Sequence, residues 1–335
     1  MGFFGNRDRL QIIAFQSYGT TDHLYARGRA LEDEDIDLSE KGLFKLLLNT
    51  WKRFETDEVR NAPIQIKLPD GRIIDATTDQ GGFFLVDQKM ESLGGYVNEE
   101  GWLAYEISYT DLGNARQIKN ENCFRGEILI PSKEAAFGVI SDIDDTIMHT
   151  GVVSSLKWRV IANTFFKSAE KRVPLEGAAR FYHKLHRGRS GNNANPIFYV
   201  SHSPWNLYRY LEFFLTKNNF PKGPILLRNF PGLRSRKTPA DQPQKQKEIA
   251  NILKTYPSLN FILIGDSGEG DADIYMNISR AYPERILAIY LRSVNHKKKM
   301  LRVRGLFENY KSTPVLLVEK SRDALEHARF NGFIK

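Results

Sequence analysis

Apolar and polar residues alternate over short distances along the first 130 positions. Ile64, Ile66 and Leu68 are separated by single polar residues, which puts three side chains on one face of a strand. Leu10-Gln11-Ile12-Ile13-Ala14-Phe15 predicts an earlier strand. Pro69-Asp70-Gly71 supplies turn residues, and Arg72-Ile73-Ile74-Asp75 begins a return strand. Phe83-Phe84-Leu85-Val86, Trp102-Leu103-Ala104-Tyr105 and Glu127-Ile128-Leu129-Ile130 continue the series, with Gly-rich breaks between them. Short strands with regular turns predict a small β-sandwich-like domain over residues 1–133. One segment departs from the alternation: Leu43, Leu46, Leu47 and Trp51 fall on a helical stripe within residues 40–55.

From residue 134 the rhythm changes to apolar runs, loops and helical stripes. Ala136-Phe137-Gly138-Val139-Ile140-Ser141 leads into Asp142-Ile143-Asp144-Asp145-Thr146. Pro196-Ile197-Phe198-Tyr199-Val200 leads into Ser201-His202-Ser203-Pro204-Trp205. Gln244-Lys245-Gln246-Lys247 opens a helix whose stripe is Ile249, Ile252, Leu253 and Tyr256. Phe261-Ile262-Leu263-Ile264 leads into Gly265-Asp266-Ser267-Gly268-Glu269-Gly270-Asp271. Further amphipathic helices are predicted around Trp158–Phe166 and Ala178–Leu185. Strand–loop–helix units in this order predict an α/β domain over 134–335, built on a doubly wound parallel sheet.

The composition, 41% hydrophobic and 26% charged over 335 residues, is that of a soluble globular protein. It excludes disordered and disulfide-stapled classes, and no run nears the roughly 18 apolar residues of a spanning helix. The opening Met1-Gly2-Phe3-Phe4-Gly5-Asn6 predicts neither a secretory leader nor a myristoylation signal. Cys123 is the single cysteine, so no internal disulfide forms and a reducing cytoplasm is expected. Charge divides the chain. Residues 1–130 carry 15 Lys+Arg against 22 Asp+Glu, a net of −7, while the remainder carries 33 against 18, a net of +15. A basic second half points to an anionic partner: a phosphorylated substrate, an acidic membrane surface or nucleic acid. The same charge also suits a merely solvated face.

The four motifs carry the candidate chemistry. Three aspartates within four positions repel one another unless a cation lies among them, and Mg²⁺ prefers such oxygen ligands. A hydroxyl at a strand end, as at Ser201, suits an anion, and a lysine at the following helix start can neutralise a phosphate. Asp266 and Asp271 can face the same cation as the first cluster. Asp, Ser and Thr also serve as ordinary helix caps. The first domain shows no comparable set. His23 reads as structural or surface. Asp33, Asp35 and Asp37 lack the Gly and Glu of a calcium loop and read as a solvated acidic loop.

Asp142-x-Asp144-x-Thr146, Ser201, Lys245 and Asp266-x4-Asp271 together resemble the haloacid dehalogenase superfamily of phosphohydrolases. Ser141-Asp-Ile-Asp-Asp-Thr-Ile, Val200-Ser-His-Ser-Pro-Trp-Asn-Leu and Leu263-Ile-Gly-Asp-Ser-Gly are similar to the actin-patch phosphatidate phosphatase family and its bacterial relatives, as is Tyr25-Ala-Arg-Gly-Arg-Ala-Leu. The resemblance implies a haloacid dehalogenase-like catalytic domain in which Asp142 is the nucleophile and Asp144 the general acid and base. Ser201 and Lys245 would hold phosphoryl oxygens, with Thr146 in the same motif. Mg²⁺ would sit on Asp142, the backbone carbonyl of Asp144, and Asp266, with Asp271 a direct or outer ligand. Gln244 stands where the family pattern has His, which leaves Lys247 as an alternative to Lys245. The implied substrate is phosphatidate; a soluble phosphomonoester, a phosphoprotein and a non-enzymatic phosphate- or lipid-binding role are the alternatives, and the pattern turns away from nucleic acid. His296-Lys297-Lys298-Lys299 with Arg302 and Arg304 offers peripheral contact with anionic lipid without a transmembrane segment.

Overall fold

The computed structural model describes residues 9–33, 58–111, 117–143, 177–228, 243–267, 270–293 and 297–335. The chain divides into two compact units, Met1–Ile130 and Pro131–Lys335.

Among the described residues the first unit contains eight strands: β1 (Arg9–Phe15), β2 (Ser17–Tyr18), β3 (His23–Asp33), β4 (Pro63–Lys67), β5 (Ile73–Thr77), β6 (Phe83–Lys89), β7 (Trp102–Tyr109) and β8 (Phe124–Leu129). They form a three-stranded antiparallel sheet, β1-β3-β6, and a five-stranded sheet, β2-β8-β7-β4-β5. One hydrophobic core joins them: Leu10, Leu24 and Phe84 from the first sheet pack with Ile64, Ile66, Leu103 and Ile107 from the second. The expected alternation over Ile64, Ile66 and Leu68 is realised, all three being buried. The central strand β3 was not foreseen. Its alternation is masked because its core face is built from small residues, Ala26, Gly28 and Ala30, while Arg27 and Arg29 stand on the other face. Those arginines lie over Tyr25 and Phe83, at 5.4 and 4.8 Å from the ring centres, so their stems and planes cover aromatic surface. His23 pairs with Asp87 at 2.5 Å on the adjoining strand, a surface contact. The expected helix within 40–55 and the Asp33–Asp37 loop lie outside the residues whose side chains are described.

The second unit contains β9 (Gly138–Asp142), β10 (Ile197–Pro204), β11 (Ile225–Arg228), β12 (Phe261–Asp266), β13 (Ile286–Arg292) and β14 (Val315–Val318). It also contains the helices α1 (Ala178–Arg187), α2 (Tyr208–Lys217), α3 (Gln244–Thr255), α4 (Asp271–Ala281), α5 (Lys297–Phe307) and α6 (Ser321–Phe330). The six strands form one parallel sheet in the order β11-β10-β9-β12-β13-β14. Neighbouring residues of β10 show that both faces are covered. Tyr199 stacks on Tyr182 of α1 at 6.3 Å, while Phe198 meets Tyr256, at the end of α3, at 5.7 Å. Strands buried on both faces explain the continuous apolar runs in β9, β10 and β12. The predicted helix near Trp158–Phe166 lies outside the described residues, whereas the one at Ala178–Leu185 is α1.

The chain leaves β9 for β10 and β11 on one side, then returns to lay β12, β13 and β14 on the other. The strand order therefore reverses between β9 and β12. In open parallel sheets this reversal leaves a crevice at the carboxyl ends of the strands, where ligands bind. Asp142 ends β9 and Asp266 ends β12.

Leu263, fully buried in β12, is expected to hold this crevice in place through packing. Leu263→Ala should lower unfolding free energy by about 2–5 kcal/mol in urea denaturation, whereas Leu301→Ala, at an exposed site on α5, should change it by less than about 0.5 kcal/mol. Equal effects at both sites would contradict the packing described.

Candidate active site

Three carboxylates converge at the strand reversal. One oxygen from each of Asp142, Asp266 and Asp271 lies within 4.8 Å of the others, and all three residues are buried. Each arrives by a different route. Asp142 is the last residue of β9, Asp266 the last residue of β12, and Asp271 the first residue of α4. The turn from β12 to α4 requires close approach. A Cβ at Gly265 would meet Asp271 Oδ2 at 2.6 Å and the Tyr275 ring at 2.7 Å, so only glycine fits there. The Asp266 backbone N–H donates to Asp271 Oδ2 at 3.3 Å, and the Tyr275 hydroxyl donates to the Ile264 carbonyl at 2.8 Å.

Lys245 enters this cluster from the first turn of α3. Its Nζ donates to Asp142 Oδ1 at 2.6 Å and to Asp271 Oδ1. The side chain is almost wholly buried, with 1% exposed, so these are charge contacts shielded from water. Burial pulls the ammonium's pKa down, but Asp142 and Asp271 outweigh it and hold the group well above the ordinary lysine value. Lys247, the alternative from the sequence, is exposed. The helix stripe explains the difference: Lys245, Ile249, Ile252 and Leu253 share the buried face of α3.

Ser201 lies in β10, one residue beyond Val200, the register partner of Asp142. The sequence placed it at a strand end before a helix. Instead β10 continues to Pro204, pairing there with Arg228 of β11 after a register shift, and a short 3-10 turn at Trp205–Leu207 precedes α2. The Ser201 hydroxyl accepts the Ser203 backbone N–H at 2.9 Å, which fixes its rotamer. Asp144 and Thr146 lie outside the described residues.

Several groups around the cluster carried no distinct sequence signal. The Tyr182 hydroxyl donates to Ser141 Oγ at 2.6 Å, and Ser141 Oγ donates to the Asp142 carbonyl at 2.7 Å. This relay ties α1 to the end of β9. Burial pushes the Tyr182 and Tyr275 hydroxyls upward in pKa, so both stay protonated near neutrality. His202 is half-buried, and burial together with the nearby Lys245 charge lowers its pKa to about 4. It is therefore a neutral imidazole through the physiological range. Repetitive hydrophobic patterning hides Tyr182 and Tyr275, since an aromatic on a helix stripe reads as ordinary core.

The donor set fits a hard divalent cation. Three carboxylates and one ammonium leave a formal charge of −2 in a buried space, and all the anionic donors are oxygens.

Comparison with known proteins gives the following. Residues 137–293 match the family described as phosphatidate phosphatase APP1, catalytic domain. Over 156 residues the chain is 39% identical to the Saccharomyces cerevisiae protein named phosphatidate phosphatase APP1, covering 46% of this chain and 25% of that protein. Over 218 residues it is 27% identical to an uncharacterized protein of Schizosaccharomyces pombe, covering 65% of this chain and 34% of that one. The chain thus spans only a quarter to a third of the length of these curated relatives.

The buried ion contacts predict a definite pH response. The folded-state pKa of Lys245 lies above the unfolded value of 10.5, so its stabilisation is intact below that pH and is lost as pH rises towards the folded value. Without added metal, Lys245→Met should unfold more easily than the native chain by about 3–5 kcal/mol, because two buried carboxylates lose their partner. Urea midpoints should show that gap holding steady from about pH 7 to about pH 10 and narrowing above it. A gap that is absent, or that widens in alkali, would contradict the arrangement.

Proposed function

We propose that this chain, whose residues 137–293 match the family described as phosphatidate phosphatase APP1, catalytic domain, is a Mg²⁺-dependent phosphatase that hydrolyses phosphatidate to diacylglycerol. The observation that carries the reading is Lys245, held between Asp142 and Asp271 beside Asp266 at the sheet reversal. A phosphate monoester is a dianion, and its attack by a carboxylate is opposed by charge. A site that combines a nucleophilic carboxylate with a buried ammonium and a cation-binding set removes that opposition. The parallel sheet covered on both faces supports a doubly wound haloacid dehalogenase-like fold. The two sheets with one core support a sandwich-like first domain.

Asp142 is the nucleophile in this mechanism. Its carboxylate attacks phosphorus, the bond to the lipid oxygen breaks, and an aspartyl-phosphate forms. The family pattern gives Asp144 the proton transfers: to the departing oxygen, and then from the water that hydrolyses the intermediate. Lys245 and Ser201 hold the phosphoryl oxygens while this happens. Asp142, Asp266 and Asp271 would hold Mg²⁺, with the Asp144 carbonyl as a further donor. Bound there, Mg²⁺ supplies positive charge that offsets the phosphoryl oxygens. The Tyr182–Ser141 relay fixes the end of β9, so that the Asp142 side chain is held before substrate arrives.

A cytoplasmic enzyme must meet this substrate at a membrane surface. No described helix is long and apolar enough to cross a membrane. Lys298 and Arg304 on α5 are exposed and suit peripheral contact with anionic lipid, whereas Arg302 is engaged by Asp273 at 2.9 and 3.0 Å.

Phosphate release from phosphatidate in mixed micelles tests the reading. Activity should require Mg²⁺, disappear in EDTA and fall by at least about 1,000-fold in Asp142→Asn. Turnover that survives in Asp142→Asn would refute the nucleophile. A marked preference for water-soluble esters over phosphatidate would refute the lipid substrate.

A further inference from the structure

Beyond the carboxylates, the carboxyl edge of the sheet continues as a single row. Asp266 of β12 is the register partner of Arg292 of β13, and Arg292 is the partner of Val318 of β14. Past this row lies a cavity of about 650 Å³, between the starts of α1 and α6. Two strand spacings, roughly 10 Å, separate Val318 from Asp266, and the cavity extends from Val318 back to Ile264 and Tyr182. The two helix starts are brought together at Gly177, whose φ of +76° suits glycine and whose Cβ would lie 3.3 Å from Ser321 Cβ.

The lining has two chemistries. Phe181 and Tyr290, whose rings meet edge to face at 5.5 Å, form an apolar wall with Val318. Arg180, Arg292, Lys320 and Arg322 add four cations against one carboxylate, Glu319, a net of +3. Arg322 also pairs with Glu326 at 3.2 Å, an exposed contact that is easily exchanged. Like charges gathered around a hollow repel one another, and an anion in the hollow relieves that repulsion. Free phosphate would satisfy the cations and leave the aromatic wall in contact with water. A phosphate ester bearing an apolar chain satisfies both.

We propose that this cavity is a second ligand site, one that takes an anionic phospholipid other than the molecule hydrolysed at the carboxylates. Asp142, Ser201, Lys245 and Asp266 do not line it, whereas Ile264 of β12 and Tyr182 of the relay form the wall nearest the carboxylates. A lipid held there would keep the sheet's carboxyl edge at an anionic membrane while substrate turns over beside it. The inference stands apart from the phosphatase reading, because it concerns binding of a lipid that need not be a phosphomonoester.

Dihexanoyl phosphatidylglycerol is a suitable probe, being anionic, soluble and a phosphodiester. Calorimetric titration of the full chain in EDTA should show it binding, with dihexanoyl phosphatidylcholine and inorganic phosphate each at least about tenfold weaker. The double variant Arg180→Ala/Arg322→Ala alters exposed side chains, and circular dichroism should confirm that it is folded. It should weaken phosphatidylglycerol by at least about tenfold, with p-nitrophenyl phosphate turnover within about twofold of native. Unchanged phosphatidylglycerol affinity in the variant would overturn the site. So would phosphatidylcholine or phosphate binding as tightly as phosphatidylglycerol. A tenfold loss of p-nitrophenyl phosphate turnover would make the cavity part of the carboxylate centre and overturn its separateness. If the chain turns over no ester at all, the phosphatase reading fails, and the titration still decides this proposal.

Discussion

A single ammonium enclosed by carboxylates organises the second unit. Removing Lys245 from water is costly, and only close contact with Asp142 and Asp271 offsets that cost. Such contact demands that the end of β9, the start of α3 and the start of α4 meet within hydrogen-bond reach. The parallel sheet, the glycine at 265 and the relay from Tyr182 through Ser141 all act to hold that meeting point. Asp266 then brings a third carboxylate to the same space, and the resulting charge of −2 is what a divalent cation matches. Structure and chemistry are therefore linked through charge: the groups that make the pocket unstable when empty of cations suit it to phosphate chemistry.

The site was more legible in the sequence than the sheet around it. Asp142, Lys245, Asp266 and Asp271 stand out because charged residues directly follow apolar runs, or open a helix with a clean apolar stripe. Their convergence followed from the strand–loop–helix order, since such units place their loops at one edge of a sheet. Strands β13 and β14 drew no notice, because Ile286–Arg292 and Val315–Val318 end without a chemical motif. The long β10 was also misjudged. Ser201, His202 and Ser203 read as the end of the strand, yet β10 runs on across a register shift to Pro204, which pairs with Arg228 of β11. Register with a neighbouring strand is a non-local property that no local pattern announces.

In the first unit, local alternation located most strands and missed the one at the centre of its three-stranded sheet. Ala26, Gly28 and Ala30 bury little area each, and Arg27 and Arg29 look like solvated charges in sequence. The fold uses them otherwise. Small residues on the core face suit a strand packed closely against another sheet, and the arginines lie across aromatic rings on the other face. Tyrosines on helices were overlooked for a related reason, because their hydroxyl partners are set by tertiary packing.

The central claim is that carboxylates from separate segments share one cation. Calorimetric titration of Mg²⁺ into the native chain, and into Asp142→Asn and Asp266→Asn, tests it without reference to any substrate. The account predicts one ion per native chain and affinity at least about tenfold weaker in each variant, with both variants still folded. Native-like Mg²⁺ affinity in both variants would contradict it.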